Sequence, residues 1–304
     1  KIKTKIKMHE PVLLSEVLKY LSPKKGESYV DMTAGGGGHA AAILEYTKSY
    51  QSSVLVDRDR TAVGKLRQKF ANRGVKIMYH DFYEAAELLA NKGVKFDMLF
   101  ADLGLSSLHL NTASRGFSFL HSGPLDMRMD QRQQLTANKI VNEWEADELE
   151  RILREYGEEP EARKIAASIV ASRPLKTTVE LAEAVTRVTT KWQRKHPATR
   201  TFQAIRLAVN SELELLKKAL PVWLALTQPG GRIGIITFHS LEDRIVKRFF
   251  AEHSANSFEK DLNLLFKHPV TPGRHEVVYN PRSRSAKLRV AVKIKTTERT
   301  SDAN

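Results

Sequence analysis

No cysteine occurs among the 304 residues, so disulfides, thiolate metal clusters and a thiol nucleophile are excluded together. Long apolar runs are missing too. Nothing approaches the roughly 18 residues of a membrane span, and no apolar segment follows the basic stretch Lys1-Ile2-Lys3-Thr4-Lys5-Ile6-Lys7 as it would in a secretory leader. A cytoplasmic protein that makes no use of a membrane is expected. Acidic residues are in deficit, 35 against 49 basic ones, which leaves a formal charge of +14. A field of that sign attracts polyanions, and counterion release from phosphates supplies affinity independent of base sequence. What is present, 41% hydrophobic and 28% charged residues, suffices for a buried core and is too mixed for a disordered chain.

Early in the chain, short apolar runs at 29–32, 54–56, 76–79 and 98–101 alternate with helical stretches at 40–46, 62–70 and 84–91. That is the grammar of βαβ units and a mainly parallel sheet. Consecutive helices then replace the alternation. Leu149, Ile152, Leu153 and Tyr156 recur at helical spacing before Gly157, and Ala162, Ile165, Ala166 and Ile169 repeat the pattern before Pro174. Thr177 and Glu180 spell a capping box ahead of Leu181, Ala184, Val185 and Val188. After Pro197 one long helix carrying Phe202, Ile205 and Val209 is expected to run toward the turn Gln228-Pro229-Gly230-Gly231. Residues 232–238 read as a strand, and Leu288, Val290, Val292 and Ile294 alternate with polar or small neighbours in a final one. The fold class is therefore α/β, a Rossmann-like sheet with an inserted all-helical domain. Residues 1–110 and 200–304 form the discontinuous sheet domain, and 111–199 the insert.

The first strand runs into Asp31-Met32-Thr33-Ala34-Gly35-Gly36-Gly37-Gly38-His39, and a helix follows. Glycines let the backbone turn sharply and approach a ligand at the carboxyl edge of the sheet, where open α/β folds bind nucleotides. Asp57 closes the second strand, placed to accept hydrogen bonds from ribose hydroxyls. The glycines do not follow the G-x-G-x-x-G register of a pyrophosphate cradle, and the acid ahead of them favours a cationic amino-acid tail. S-adenosylmethionine fits that pattern better than a nicotinamide dinucleotide, the alternative being glycines that serve only as a flexible turn. The fourth strand ends in Asp102-Leu103-Gly104-Leu105-Ser106-Ser107. Methyl transfer to an exocyclic amine needs an acceptor for its N–H groups so that the lone pair faces the methyl carbon, and Asp102 fits that role or that of a turn cap. Methylation at pyrimidine C5 ordinarily requires a cysteine adduct and is excluded.

Several longer stretches resemble the ribosomal small-subunit methyltransferase H family, also called MraW. They are His9-Glu10-Pro11-Val12-Leu13-Leu14, Gly37-Gly38-His39, Asp102 to Ser107, Arg115-Gly116-Phe117-Ser118-Phe119 and Gly123-Pro124-Leu125-Asp126-Met127-Arg128-Met129-Asp130. Further along come His196-Pro197-Ala198-Thr199-Arg200-Thr201-Phe202-Gln203-Ala204, Phe238-His239-Ser240-Leu241-Glu242-Asp243-Arg244 and Asn280-Pro281-Arg282-Ser283-Arg284-Ser285. The resemblance implies a class I, S-adenosylmethionine-dependent methyltransferase acting on N4 of a cytidine in the decoding region of bacterial 16S rRNA, with the small ribosomal subunit as partner. It implies cofactor contacts at Gly37, Gly38, His39, Asp57, Phe82 and Asp102. The remaining family contact is a glutamine, and His109 stands at that position here.

Arg115, Arg128 and Arg200 sit in loop-like segments and are phosphate candidates. Ser240 with Asp243 reads first as a capping box, and a helix N-terminus there can also hold a phosphate. Arg282, Arg284, Lys287 and Arg289 read as a solvated basic tail, of which the resemblance turns Arg282 and Arg284 toward RNA. Phe117, Phe119 and Phe202 are core residues or stack on an extruded base. No metal is called for, and the sequence leaves the oligomeric state open, a homodimer included. Rival readings are a non-catalytic RNA-binding assembly factor, a nicotinamide-dependent oxidoreductase, and a methyltransferase with another nucleic acid acceptor.

Overall fold

The computed structural model describes residues 11–189, 196–255 and 260–294, so the basic stretch 1–7 and His9 and Glu10 lie outside the described residues. The strands are β1 (Tyr29–Asp31), β2 (Val54–Asp57), β3 (Lys76–Tyr79), β4 (Phe96–Asp102), β5 (Thr227–Thr237), β6 (Leu262–Leu264) and β7 (Lys287–Lys293). The helices of the first half are α1 (Leu14–Leu21), α2 (Gly38–Thr47), α3 (Arg60–Lys69), α4 (Phe82–Ala90), α5 (Ser107–Asn111), α6 (Ala137–Glu143) and α7 (Ala146–Glu155). Those of the second are α8 (Ala162–Ala171), α9 (Thr178–Thr186), α10 (Ala198–Asn210), α11 (Glu212–Leu226), α12 (Ser240–Ser254) and α13 (Arg274–Tyr279). Contacts divide the chain into two units, 1–104 with 215–304, and 105–214. The breaks expected at 110 and 200 thus move to 104 and 214.

In the first unit the strands form one sheet in the order β3-β2-β1-β4-β5-β7-β6. β1 to β5 run parallel, while β7 is antiparallel to β5 and β6 to β7. Buried apolar side chains point to both faces, as parallel strands covered by helices require. One face packs on Val17, Ile43 and Leu66 of α1 to α3, the other on Phe82 of α4, Trp223 of α11 and Phe250 of α12. The expected turn at 228–231 lies inside β5, where the pairing jumps from Phe96↔Thr227 to Met98↔Arg232. It is a bulge in a continuous strand, and a Cβ on Gly231 would come within 2.7 Å of Thr227 Cγ2.

In the second unit α6 to α10 surround a core that includes Ile140, Leu149, Ile165, Leu181 and Ile205. Thr177 caps α9 by accepting from the N–H of Glu180, whose side chain returns the bond, so that capping box forms as spelled. The single long helix expected after Pro197 is instead two, broken at Ser211 in the left-handed region at φ 48. Glu212 beyond the break is anchored by the Arg206 guanidinium at 2.9 Å. A serine carries no breaker signature, which is why the apolar pattern alone ran through it.

Candidate active site

The carboxyl ends of β1, β2, β4 and β5 share one edge of the first unit's sheet, and three of them end in or at an acid. Between β1 and α2 the backbone is tied down residue by residue. Met32 N–H reaches the Phe100 carbonyl at 2.9 Å, Ala34 N–H reaches that of Val56 at 2.8 Å, and Gly37 N–H closes back on Ala34 at 2.7 Å. The glycines divide into two kinds. A Cβ on Gly37 (φ +71) would lie 2.9 Å from Leu66 Cδ2 and Phe70 Cε2, and one on Gly38 2.6 Å from Pro11 Cγ, so packing demands glycine at both. Over Gly36 a Cβ would meet nothing within 4 Å and over Gly35 only Thr33 O at 3.9 Å, so the open space lies there. Lys69 fastens the turn from α3, donating to the Gly37 carbonyl at 2.7 Å.

Asp57 serves the turn as well, accepting from Gly35 N–H at 2.7 Å and Asp59 N–H at 2.8 Å. Asp31 is buried and accepts from the Tyr29 hydroxyl at 2.9 Å and Thr33 N–H at 3.1 Å. Burial outweighs those bonds, and with the charge of Asp57 it raises the Asp31 pKa to about 7. Asp31 is therefore tied to the end of its own strand and is partly protonated around neutral pH. Phe82, expected as a cofactor contact, packs in the core edge-on to Trp223 at 5.5 Å, behind the Asp81 cap of α4.

Asp102 keeps 26% of its side chain exposed, yet its Oδ1 is buried with no hydrogen-bond partner. Burial first, then the charges of Asp31 and Glu242, push its pKa well above the usual carboxylate range. Unpaired acceptors of this kind cost about 1–3 kcal/mol, so an orphan carboxylate oxygen at the sheet edge is stored capacity for a cationic or N–H-bearing ligand. Beside Asp102, His39 Nε2 meets the Val12 carbonyl at 2.9 Å. An acid-lined edge, a glycine turn with open space over Gly35 and Gly36, and an unsatisfied acceptor together fit a cofactor that carries positive charge near its reactive atom.

The remaining site expectations separate. His109 belongs to the second unit, buried against Phe117 at 4.9 Å with Nδ1 3.2 Å from Ser106 Oγ. Arg115 spends its guanidinium on the Arg128 and Met129 carbonyls, and Arg128 its own on Asp126 and the carbonyls of Gln131 and Gln133. Both arginines are structural ties rather than open phosphate ligands. Arg200, Arg282 and Arg284 are exposed. Phe117 and Phe202 are core, with Phe119 packed between Phe202 and His196.

Two readings around α12 need correction. Ser240 and Asp243 do not form the cap. His239 is the N-cap, its Nδ1 accepting from Glu242 N–H at 3.4 Å, while Glu242 Oε2 takes Phe238 N–H at 2.9 Å. Ser240 is exposed in the first turn. Asp243 instead pairs with Arg289 at 2.7 Å and Lys287 at 2.9 Å. Lys287 and Arg289 therefore belong to β7 and not to a solvated tail.

A parallel sheet in this order with one antiparallel neighbour to β5, and acids closing β1, β2 and β4 beside a glycine turn, is the build of a Rossmann-like methyltransferase. The chain belongs to the MraW methylase family, whose model matches residues 6–294. It is 44% identical to the ribosomal RNA small subunit methyltransferase H of Thermomicrobium roseum, covering 94% of each chain. It is 45% identical to the protein of the same name from Caldicellulosiruptor saccharolyticus, covering 94% of this chain and 99% of that one. Among solved structures, an rRNA methylase from Streptococcus thermophilus aligns over 95% of this chain and 99% of its own, at 10% identity and a TM-score of 0.42.

Proposed function

We propose that the protein is an S-adenosylmethionine-dependent methyltransferase that modifies N4 of a cytidine in the decoding region of bacterial 16S rRNA, within the small ribosomal subunit. Bound at the glycine turn, the cofactor supplies an electrophilic methyl group on a sulfonium. Gly37, Gly38, His39 and Asp57 hold or shape its seat. The observation that carries the reading is the buried, unpartnered Oδ1 of Asp102 at the end of β4. An exocyclic amine needs an acceptor there to turn its lone pair toward the methyl carbon. In this reading 1–104 with 215–304 is the cofactor-binding domain, the helical unit 105–214 recognises substrate, and exposed Arg200, Arg282 and Arg284 meet phosphates. His109 stands for the family's glutamine with a ring nitrogen that can make one hydrogen bond.

Methyl-labelled S-adenosylmethionine offered with unmodified small subunits, and separately with their extracted rRNA, tests the proposal. N4-methylcytidine among the digested nucleosides is the expected product. A methylated ribose or another base would move the acceptor. RNA binding indifferent to the cofactor, with no methyl product, would leave the assembly-factor reading.

A further inference from the structure

Three contacts of the segment Pro11-Val12-Leu13 converge on the start of α2 and on α13. Pro11 occupies the space that a Cβ on Gly38 would need. The Val12 carbonyl lies 2.9 Å from His39 Nε2. Leu13, fully buried and held at φ 53, gives its N–H to Glu276 Oε1 at 2.8 Å. A leucine in the left-handed region is costly and persists only where its surroundings fix it. Here it is fixed from both sides.

A carbonyl oxygen can only accept, so Nε2 of His39 carries the ring hydrogen and Nδ1 is left as a bare lone pair. That lone pair faces Asp102 Oδ2 at 3.8 Å, with Phe100 packed against the ring at 4.7 Å. A lone pair and a carboxylate left facing each other repel, and a proton taken up by the carboxylate turns the contact into an O–H···N hydrogen bond in which Nδ1 accepts. Among the described residues, the groups that act on Asp102 offer no competing cation. Asp31 and Tyr29 come from β1, and Glu242 comes from α12.

Resting on the methyl-transfer reading above, we infer that His39 and Asp102 share a single proton, with His39 Nδ1 the positioning partner through which Asp102 takes up the proton released by the acceptor amine. The nitrogen lone pair forms the N–C bond, the electrons of the broken S–C bond stay on sulfur as a neutral thioether, and the nitrogen gives its surplus proton to Asp102. The resulting carboxyl O–H then donates to Nδ1. The contact has to shorten by about 1 Å to become a hydrogen bond. Burial lowers the His39 pKa to about 4, so the ring stays neutral and able to accept around neutral pH. This role differs from a cofactor contact, and it gives the N-terminal segment a purpose: the Val12 carbonyl selects the tautomer.

Ring-nitrogen NMR of the full-length, cofactor-free protein reads the tautomer directly. Nε2–H with a bare Nδ1 around neutral pH is expected, and Nδ1–H or an imidazolium would overturn the inference. Two substitutions then separate the two nitrogens. The amide of His39→Gln reaches the Nε2 position and can still donate to Val12, without an acceptor at Nδ1. The amide of His39→Asn occupies the Nδ1 position and loses the Val12 bond. His39→Gln should lower kcat about 100-fold and move the acidic limb of the kcat profile to lower pH, because the protonated carboxyl loses its acceptor. His39→Asn should retain more kcat and bind the cofactor more weakly. Unchanged kcat in His39→Gln, or equal losses in both variants with an unmoved pH limb, would contradict proton sharing. Wild-type protein in the same assay reports whether cytidine N4 is the acceptor at all, so failure of the broader reading shows there and leaves the tautomer result standing.

Discussion

At the scale of single residues, the site is assembled from side chains that cost stability. Asp102 is held close to Asp31 and Glu242 with one oxygen orphaned. Asp102→Asn removes the charge from that cluster, so thermal stability should be unchanged or raised while methyl transfer falls about 100-fold or more. Melting curves and single-turnover assays on the same preparation check both halves. Asp31 gives a pH signature. Its pKa of about 7 in the fold lies above the ordinary 3.8, so between those values the native state holds a proton that the unfolded chain has lost. Its contribution is therefore full below about pH 4 and declines as pH rises toward 7. His39 works in the opposite sense at acidic pH, since its lowered pKa makes stability rise between about 4 and 6.5. The difference in unfolding free energy between wild type and Asp31→Asn isolates the first effect and should fall across that range. A flat difference would mean that Asp31 titrates like an exposed carboxylate.

At the scale of elements, what the sequence made legible follows chain locality. Buried parallel strands are short apolar runs that end where the edge meets solvent, and an acid marks that end in β1, β2 and β4. Asp31, Asp57 and Asp102 are therefore legible as strand ends in the sequence alone. The helix stripes of α7, α8 and α9 and the Thr177 cap were readable for the same reason, since each is decided within a few residues. Contacts across long separations were not. Asp243 pairs with Arg289 46 residues away, and Pro11 stands over Gly38 without leaving any spacing pattern. His239 escaped notice as a cap because histidine caps a helix only when its Nδ1 is deprotonated and turned inward. The three-residue strand β6 is too short to show a period. Asp243→Asn tests one of the non-local ties. It leaves Arg289, only 10% exposed at its side chain, facing a neutral amide, and should cost about 3 kcal/mol. Denaturant unfolding reads that loss, and a cost below about 1 kcal/mol would mean that the pair is solvent-screened.

At the scale of the whole molecule, the +14 charge favours anionic partners. Arg115 and Arg128 are committed to internal carbonyls and to Asp126, whereas Arg282 and Arg284 are exposed on the turn Pro281–Ser285, anchored by buried Ser283. Replacing both by alanine should weaken rRNA binding and reduce the slope of log K against log salt by roughly 1 to 2. S-adenosylmethionine affinity should stay unchanged. An unaltered slope would place the RNA elsewhere. The central claim is that a cytidine amine is methylated at the edge where Asp102 waits. Its most direct test is nucleoside mass spectrometry of unmodified small subunits incubated with S-adenosylmethionine and either wild type or Asp102→Asn. N4-methylcytidine from wild type and none from the variant is the predicted result. Cofactor bound by both proteins with no N4-methylcytidine from either, or equal product from both, would contradict it.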